Sequence, residues 1–371
     1  MKIVVIGGYG AFGRHLVTRL ATNHVLEIVV AGRDQFKAQA LVADLAKQTS
    51  TKARLEPATL DATTCTPGML RDLGTDVVVN ASGPFQAQNY HLAECAITAG
   101  CHSIDLADAR GFVTGITELD AAASEAGVVV ISGASTVPGI SSAVIQHYRH
   151  KFSHLKTIAI AISPGNKFNP GVATTASILG YVGHPIEIPH NGKKDFVYGW
   201  QGLQRRNIPG IGKRWMGHVD VPDLDLLPAA DAGLETVEMK AGLEVGIFHI
   251  GVWGLSWLVR AGLVKSLSGL AAPLLRVKQA LTWLGSDTGG MAVALKGDGL
   301  NGEPLTVDWS LAAYNNHGPY IPTVAAQILV TRLAEGETFT PGARPCLNLI
   351  SLKAFEDAVH DLDIKFTVAQ Q

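Results

Sequence analysis

The sequence predicts an α/β protein in which an N-terminal doubly wound parallel sheet is followed by a second α+β domain built on a mixed or antiparallel sheet. Three observations carry that prediction. A β-branched run, Ile3-Val4-Val5-Ile6, leads into the turn Gly7-Gly8-Tyr9-Gly10-Ala11-Phe12-Gly13, and a second such run, Glu27-Ile28-Val29-Val30-Ala31, follows a helical stretch. Strand-like and helix-like segments then alternate to about residue 150, the order that a parallel sheet with helices on both faces requires. Beyond that point the strand patterns alternate in polarity and include a hairpin signature.

Taken in order, a helix is expected over Arg14–Thr22 and another over Gln35–Lys47. Strands follow at Ala53–Pro57, Asp76–Ala81, His102–Leu106 and Val128–Ser132, with helices at Tyr90–Ala99, Ile116–Glu125 and Ile140–Phe152 between and after them. In the second domain Leu155–Ile162, Phe196–Trp200 and Glu235–Ala241 read as strands, and Met291–Lys296 with Leu305–Ala313 reads as a hairpin across Gly297–Gly302. Pro322–Ala334 is a helix with proline near its first turn and Gly336 after its end. The expected organisation is a dinucleotide-binding domain over 1–150, a substrate and dimerisation domain over 151–315, a helix over 316–350 that returns to the first domain, and a C-terminal helix and strand over 351–371.

The glycine turn has the spacing Gly8-x-Gly10-x-x-Gly13 between a strand and a helix, which is the context that makes this pattern specific for a dinucleotide. Gly8 is expected to allow the tight turn, Gly10 the approach of a pyrophosphate, and Gly13 the close packing of the helix. Tyr9, Ala11 and Phe12 complete the binding turn, whose free N–H groups and helix dipole favour a phosphate. At the end of the second strand stands Gly32-Arg33-Asp34. An arginine beside a glycine offers a cationic fork to a 2′-phosphate, which favours NADP, whereas Asp34 on a ribose hydroxyl keeps NAD open. Asp34 also has the position of an N-cap for the next helix.

Length and charge describe an ordinary enzyme. A chain of 371 residues suits two domains, and 30 basic against 32 acidic residues give a net charge of −2 that steers nothing toward nucleic acid. Cys65, Cys95, Cys101 and Cys346 show no C-x-x-C spacing and read as thiols of a reducing compartment. The first strand begins at the N-terminus, leaving no room for a targeting peptide, so a cytoplasmic protein is expected. No metal site is expected, and the absence of a G-x-S-x-G elbow leaves a hydrolase without support. His15 and His24 flank the first helix and are expected to face solvent.

In such sheets ligands bind beyond the carboxyl ends of the strands. The loops concerned are Ser82-Gly83-Pro84-Phe85-Gln86, Ala107-Asp108-Ala109-Arg110 and Gly133-Ala134-Ser135-Thr136-Val137-Pro138-Gly139, of which Ser82, Gly83 and Pro84 are assigned to the cofactor. Hydride transfer belongs to the cofactor, while the protein orients the substrate and moves one proton. His317 or Tyr314, in the loop Tyr314-Asn315-Asn316-His317-Gly318-Pro319, is the candidate for that proton, with a solvated hairpin end as the alternative. Asp105 is a second candidate or a buried carboxylate capping a turn. Arg110 either anchors a substrate carboxylate or pairs with Asp108. His102, Asp108 and Tyr320 complete the set.

The glycine turn, Val79-Asn80-Ala81-Ser82-Gly83-Pro84-Phe85, Ala99-Gly100-Cys101-His102-Ser103-Ile104-Asp105-Leu106 and Val137-Pro138-Gly139 together resemble the saccharopine dehydrogenase-like (saccharopine reductase-type) oxidoreductases. The resemblance covers residues 1 to about 150, with a later echo at Gly318-Pro319-Tyr320-Ile321-Pro322-Thr323. It implies a Rossmann domain for NAD or NADP, a second domain that covers the nicotinamide, and hydride transfer at carbon–nitrogen bonds. The function expected is therefore an NADP-dependent oxidoreductase acting on an imine or amine, in a homodimer with a small-molecule substrate. An NADP-dependent reductase of an apolar or lipidic carbonyl or alkene is the alternative, and an inactive nucleotide-binding scaffold a third.

The lipidic alternative is motivated by one segment. Val245–Val259 is fifteen residues without a formal charge, and from there to Gly285 only Arg260, Lys265, Arg276 and Lys278 are charged. That is too short to span a bilayer, for which about 20 residues are needed. A pair of buried helices or a dimer contact is the favoured reading of 245–285, ahead of a greasy tunnel and of contact with a membrane surface.

Overall fold

The computed structural model describes residues 1–371. The chain opens with β1 (Lys2–Ile6), α1 (Gly13–Leu20), β2 (Glu27–Gly32), α2 (Gln35–Ala46), β3 (Arg54–Thr59), α3 (Pro67–Asp72), β4 (Val77–Asn80), α4 (His91–Ala99), β5 (His102–Asp105), α5 (Arg110–Gly115), α6 (Asp120–Glu125) and β6 (Val129–Ser132). It continues through α7 (Ser141–Arg149), β7 (Phe152–Ser163), α8 (Gly171–Gly180), β8 (Pro185–His190), β9 (Lys193–Tyr198), β10 (Gln204–Ile208), β11 (Gly212–His218), α9 (Asp223–Ala230), β12 (Thr236–Ala241), α10 (Gly246–Arg260), α11 (Ala271–Ala280), β13 (Gly289–Gly299) and β14 (Pro304–Ala313). The last elements are α12 (Ile321–Ala334), β15 (Gly342–Pro345), α13 (Leu352–Ala358) and β16 (Ile364–Gln370).

Two compact units result. The first holds residues 1–140 and 319–350, the second 141–318 and 351–371. The first crossing falls at Ile140/Ser141, ten residues before the boundary read from the sequence, because α7 packs on β7 and β13 of the second unit.

The first unit is a seven-stranded sheet in the order β15-β6-β5-β4-β1-β2-β3, and every pairing in it is parallel. β1, β2 and β4 are mostly apolar because helices bury both faces, which is why they appear in the sequence as β-branched runs. Val4, Ile6, Val29, Ala31 and Val78 pack with Leu70, Leu92 and Cys95 in one such layer. Helix α12 lies against α1, with Arg19 Nε donating to Gln327 Oε1 at 3.3 Å. Strand β15 was not expected. It extends the sheet beyond β6 from Gly342↔Val129 to Pro345↔Ser132, and the Asp120 carboxylate accepts the Ala343 N–H at its start.

The second unit is a seven-stranded mixed sheet, β10-β11-β12-β7-β13-β14-β16. Only β12 and β7 run parallel, in register Thr236↔Thr157 to Ala241↔Ile162, and the other neighbours are antiparallel. The β13–β14 hairpin pairs Gly289 with Ala313 and closes at Asp298↔Pro304. Glu244 ties the apolar segment to this frame: its carboxylate accepts from Asn166 N, Ser286 N and Ser286 Oγ and pairs with Arg214 at 3.3 Å.

Candidate functional site

The strand ends of the first unit carry the candidate cofactor-binding residues. In the turn after β1 the N–H groups of Gly7 and Gly8 donate to Ala31 O at 2.9 and 3.1 Å, and Gly10 N–H donates to Gly7 O at 2.8 Å. The left-handed residue is Gly7, at φ +79°, and not Gly8, to which the tight turn had been assigned. Gly8 serves packing, since a Cβ there would lie 2.9 Å from Val5 O and 3.1 Å from the Val30 side chain. A Cβ on Gly13 would fall 2.1 Å from Gly7 O, so the helix starts hard against the turn. Gly10 meets only the Gly7 carbonyl, at 3.0 Å, and its outer side is open. Helix α1 has no side-chain cap and no acidic residue in its first turn, which leaves its positive end uncompensated.

The end of β2 is organised by Tyr9. Its hydroxyl accepts the Asp34 N–H at 2.8 Å, and its ring occupies the space over Gly32, where a Cβ would be 2.5 Å away. The room that glycine leaves is thus filled by the tyrosine. Asp34 is the N-cap of α2: its carboxylate accepts the Lys37 N–H at 3.2 Å and pairs with Lys37 Nζ at 3.3 Å. Arg33 is exposed between them. Its charge helps hold the Asp61 carboxyl low, behind the larger effect of the Thr63 N–H and hydroxyl. A cleft of about 310 Å³ opens beside this point, lined by Ala62, Thr63, Ala87, Gln88, Asn89 and Leu92.

After β4 the loop carrying Ser82, Gly83 and Pro84 is shaped by Asn80. Asn80 Oδ1 accepts from Ser82 N at 3.0 Å and Ser82 Oγ at 2.5 Å, and Gln88 Nε2 donates to the carbonyls of Ser82 and Pro84. After β5, buried Asp105 accepts the N–H groups of Ala107 at 2.9 Å and Gly133 at 2.8 Å. Burial pushes its carboxyl up to about 6, against the pull of those two donors. Arg110 is the first residue of α5. His102 stands at the opposite end of β5, accepting Val129 N–H through Nδ1 at 3.1 Å.

His15, expected in solvent, is half-buried with its ring 4.4 Å from that of Tyr320. Burial and then the adjacent Arg14 charge lower its pKa to about 4, so the imidazole is neutral at physiological pH. Tyr314 and His317 belong to the second unit. Tyr314 Oη donates to Gly210 O at 3.3 Å, and His317 Nδ1 accepts the Asp363 N–H at 2.7 Å. Asn315 and Asn316 between them take the left-handed conformation, at φ +53° and +60°. This loop is therefore pinned to the start of β16 and is not a loose hairpin end.

Sequence reading missed Tyr9's second role, Asn80 and Gln88. An Asn closing a short strand ahead of Ser-Gly-Pro was a usable signal, because Asn side chains bond to backbone two residues on. The Tyr9–Asp34 contact had no local signal.

An open parallel sheet, a glycine turn fitted to a diphosphate and a cationic side chain at the end of β2 define a dinucleotide-binding protein. The residues fit such a group: Gly10 leaves the approach that a Cβ would obstruct, and α1 presents an uncapped positive end. Residues 3–131 match the family described as saccharopine dehydrogenase NADP binding domain, so the resemblance read from the sequence stands and the first unit is an NAD(P)-binding domain. No curated protein sequence matches the chain. Among solved structures it is similar in fold to apo saccharopine dehydrogenase (L-Glu forming) from Saccharomyces cerevisiae, with a TM-score of 0.71, 14% identity and 99% of each chain covered. It is also similar to amine dehydrogenase from Mycobacterium smegmatis, with a TM-score of 0.53, 12% identity and 95% and 96% of the two chains covered.

Proposed function

We propose that the protein is an NADP-dependent oxidoreductase that transfers hydride between the nicotinamide and a carbon–nitrogen substrate, an imine in one direction and an amine in the other. One observation carries the cofactor preference. The Asp34 carboxylate is committed to the α2 cap and to Lys37, while Arg33 beside it is exposed. A carboxylate so engaged is a poor acceptor for a ribose hydroxyl, and the guanidinium suits a 2′-phosphate. The substrate class is supported by the fold shared with a saccharopine dehydrogenase and, less closely, with an amine dehydrogenase.

When bound, the nicotinamide supplies or takes the hydride. The chain's residues bind, orient and move one proton. Gly8 to Gly13 would hold the pyrophosphate, Arg33 the 2′-phosphate, and the Ser82–Pro84 loop a further part of the cofactor. We assign proton transfer to His317, with Tyr314 beside it in the loop. Nδ1 is committed to the Asp363 N–H, so the proton exchange is assigned to Nε2. Arg110 is the proposed anchor for a substrate carboxylate. Asp105, with two backbone donors on one oxygen, is the positioning group that holds the β5 and β6 loops in register.

The test is NADPH oxidation with a panel of keto acids and aldehydes, each with and without an amine donor. Turnover that requires the amine is the expected result, and His317→Gln is expected to lower kcat by about 10²–10⁴ without weakening NADPH binding. Turnover of apolar carbonyls or alkenes alone would overturn the substrate class. An unchanged kcat in the variant would remove His317 from proton transfer.

A further inference from the structure

Helix α10 is inside out. Its fully buried side chains include His249 and Ser256, and Ser256 is held by Gln201 Nε2 at 3.1 Å and the Trp253 carbonyl at 2.6 Å. Four of its outward side chains are large and apolar: Ile247, Ile250, Trp257 and Leu258 are 73%, 37%, 45% and 40% exposed. Ile250 lies three residues after Ile247 and seven and eight before Trp257 and Leu258, which makes one stripe along the helix. The stripe does not end with α10. Leu263 is 74% exposed and Trp283, just past α11, is 73% exposed. Of the sixteen exposed large apolar residues of the whole chain, nine lie between positions 247 and 284. Folding gave these residues no cover, and exposed large apolar side chains concentrated in one segment mark a contact with something else.

Charge identifies what covers it. Helix α8 packs against α11, and Lys278 Nζ donates to Phe168 O just ahead of α8. Across these two packed segments, 164–181 and 245–285, the sequence places Lys167, Arg260, Lys265, Arg276 and Lys278 and no Asp or Glu, in a chain whose acids outnumber its bases. A twofold contact of this face with a second copy would set those cations against their own images. An anionic phospholipid surface answers both features at once: apolar side chains enter the headgroup boundary, tryptophans settle at that level, and cations meet lipid phosphates. No helix is long and apolar enough to cross a membrane, so the contact is one of lying on the bilayer.

We infer that the α10–α11 face docks the protein onto an anionic bilayer surface. The docking is independent of the cofactor and of the reaction proposed above. It is tested by co-sedimentation of the full chain with phosphatidylcholine vesicles with and without phosphatidylglycerol, at low and high salt. Binding to the anionic vesicles at low salt, weakened by salt and at least about tenfold lower on neutral vesicles, is the expected result. Leu263→Asp and Trp283→Asp, at exposed positions that leave the fold intact, each lower binding at least about tenfold. Leu300→Asp, equally exposed on the β13–β14 turn, leaves it unchanged. A thermal melt of each variant confirms folding. No binding to anionic vesicles, or equal binding by all variants, overturns the inference. Absence of vesicle binding together with a dimer that Leu263→Asp or Trp283→Asp dissociates overturns it too, and gives the face to a second copy.

Discussion

The Tyr9 hydroxyl accepts the Asp34 backbone N–H at 2.8 Å across the bare backbone of Gly32. This contact joins the phosphate-binding turn to the N-cap residue that follows β2, so the two halves of the proposed cofactor site are held in one arrangement. Such preorganisation lowers the ordering cost of binding.

Gly32→Ala tests that arrangement. The new methyl would sit 2.5 Å from the Tyr9 ring and displace it, breaking the bond to Asp34. Overpacking of this kind costs about 1–3 kcal/mol, so the melting temperature is expected to fall by several degrees and NADPH affinity to fall with it. An unchanged melt and an unchanged affinity would show that Tyr9 moves aside freely.

A second prediction concerns pH. Burial pushes the Asp223 carboxyl up to about 7, although the Ser141 hydroxyl donates to it at 2.5 Å. The unfolded value is about 3.9, so the folded state holds its proton more tightly. The stability this group contributes is fully present below about pH 4 and is lost as pH rises toward 7. Asp223→Asn removes the effect. The stability difference between variant and native protein is therefore expected to shift in the variant's favour by on the order of 3 kcal/mol from pH 4 to pH 8. Taking the difference matters because His15, His218 and His249, each lowered to about 4 chiefly by burial, act oppositely and cost stability as pH falls below 6.5. A difference that stays flat with pH would place the Asp223 carboxyl near its ordinary value.

The cysteines are expected to be inert. All four are buried, and burial pushes the Cys65 thiol to about 11 and those of Cys101 and Cys346 to about 12. The thiolate is the reactive form, so the native protein is expected to resist a disulfide reagent at neutral pH and to yield all four thiols once unfolded. Rapid labelling of the native protein would contradict this.

The first unit was legible because its strands are buried on both faces and its turns need glycine, and both leave a mark in adjacent residues. β4, read as Asp76–Ala81, is Val77–Asn80, and α2, read as Gln35–Lys47, is Gln35–Ala46. What the sequence hid are structures that depend on a distant neighbour. Gly342-Ala343-Arg344-Pro345 has no apolar run, and it is a strand only because β6 offers an edge and Asp120 a cap. β10 and β11 carry arginines and lysines where a strand pattern would show apolar residues, and they pair with each other from Gln204↔Met216 to Ile208↔Gly212. In α10 the uncharged run conceals orientation: two polar side chains, His249 and Ser256, take the interior, which no apolar count reveals. For the site, the glycines and Arg33 stood out by spacing. The contacts that shape the Tyr9 turn and the His317 loop join residues as far as 46 positions apart, as His317 and Asp363 are.

The central claim is that the first unit selects NADP through Arg33, and parallel calorimetric titrations with NADPH and NADH test it most directly. The native protein is expected to bind NADPH more tightly. Arg33→Ala should weaken NADPH by roughly 1.5–3 kcal/mol, the scale of a charge-assisted hydrogen bond, and leave NADH nearly unchanged. Equal weakening of both cofactors, or tighter binding of NADH by the native protein, would contradict the assignment.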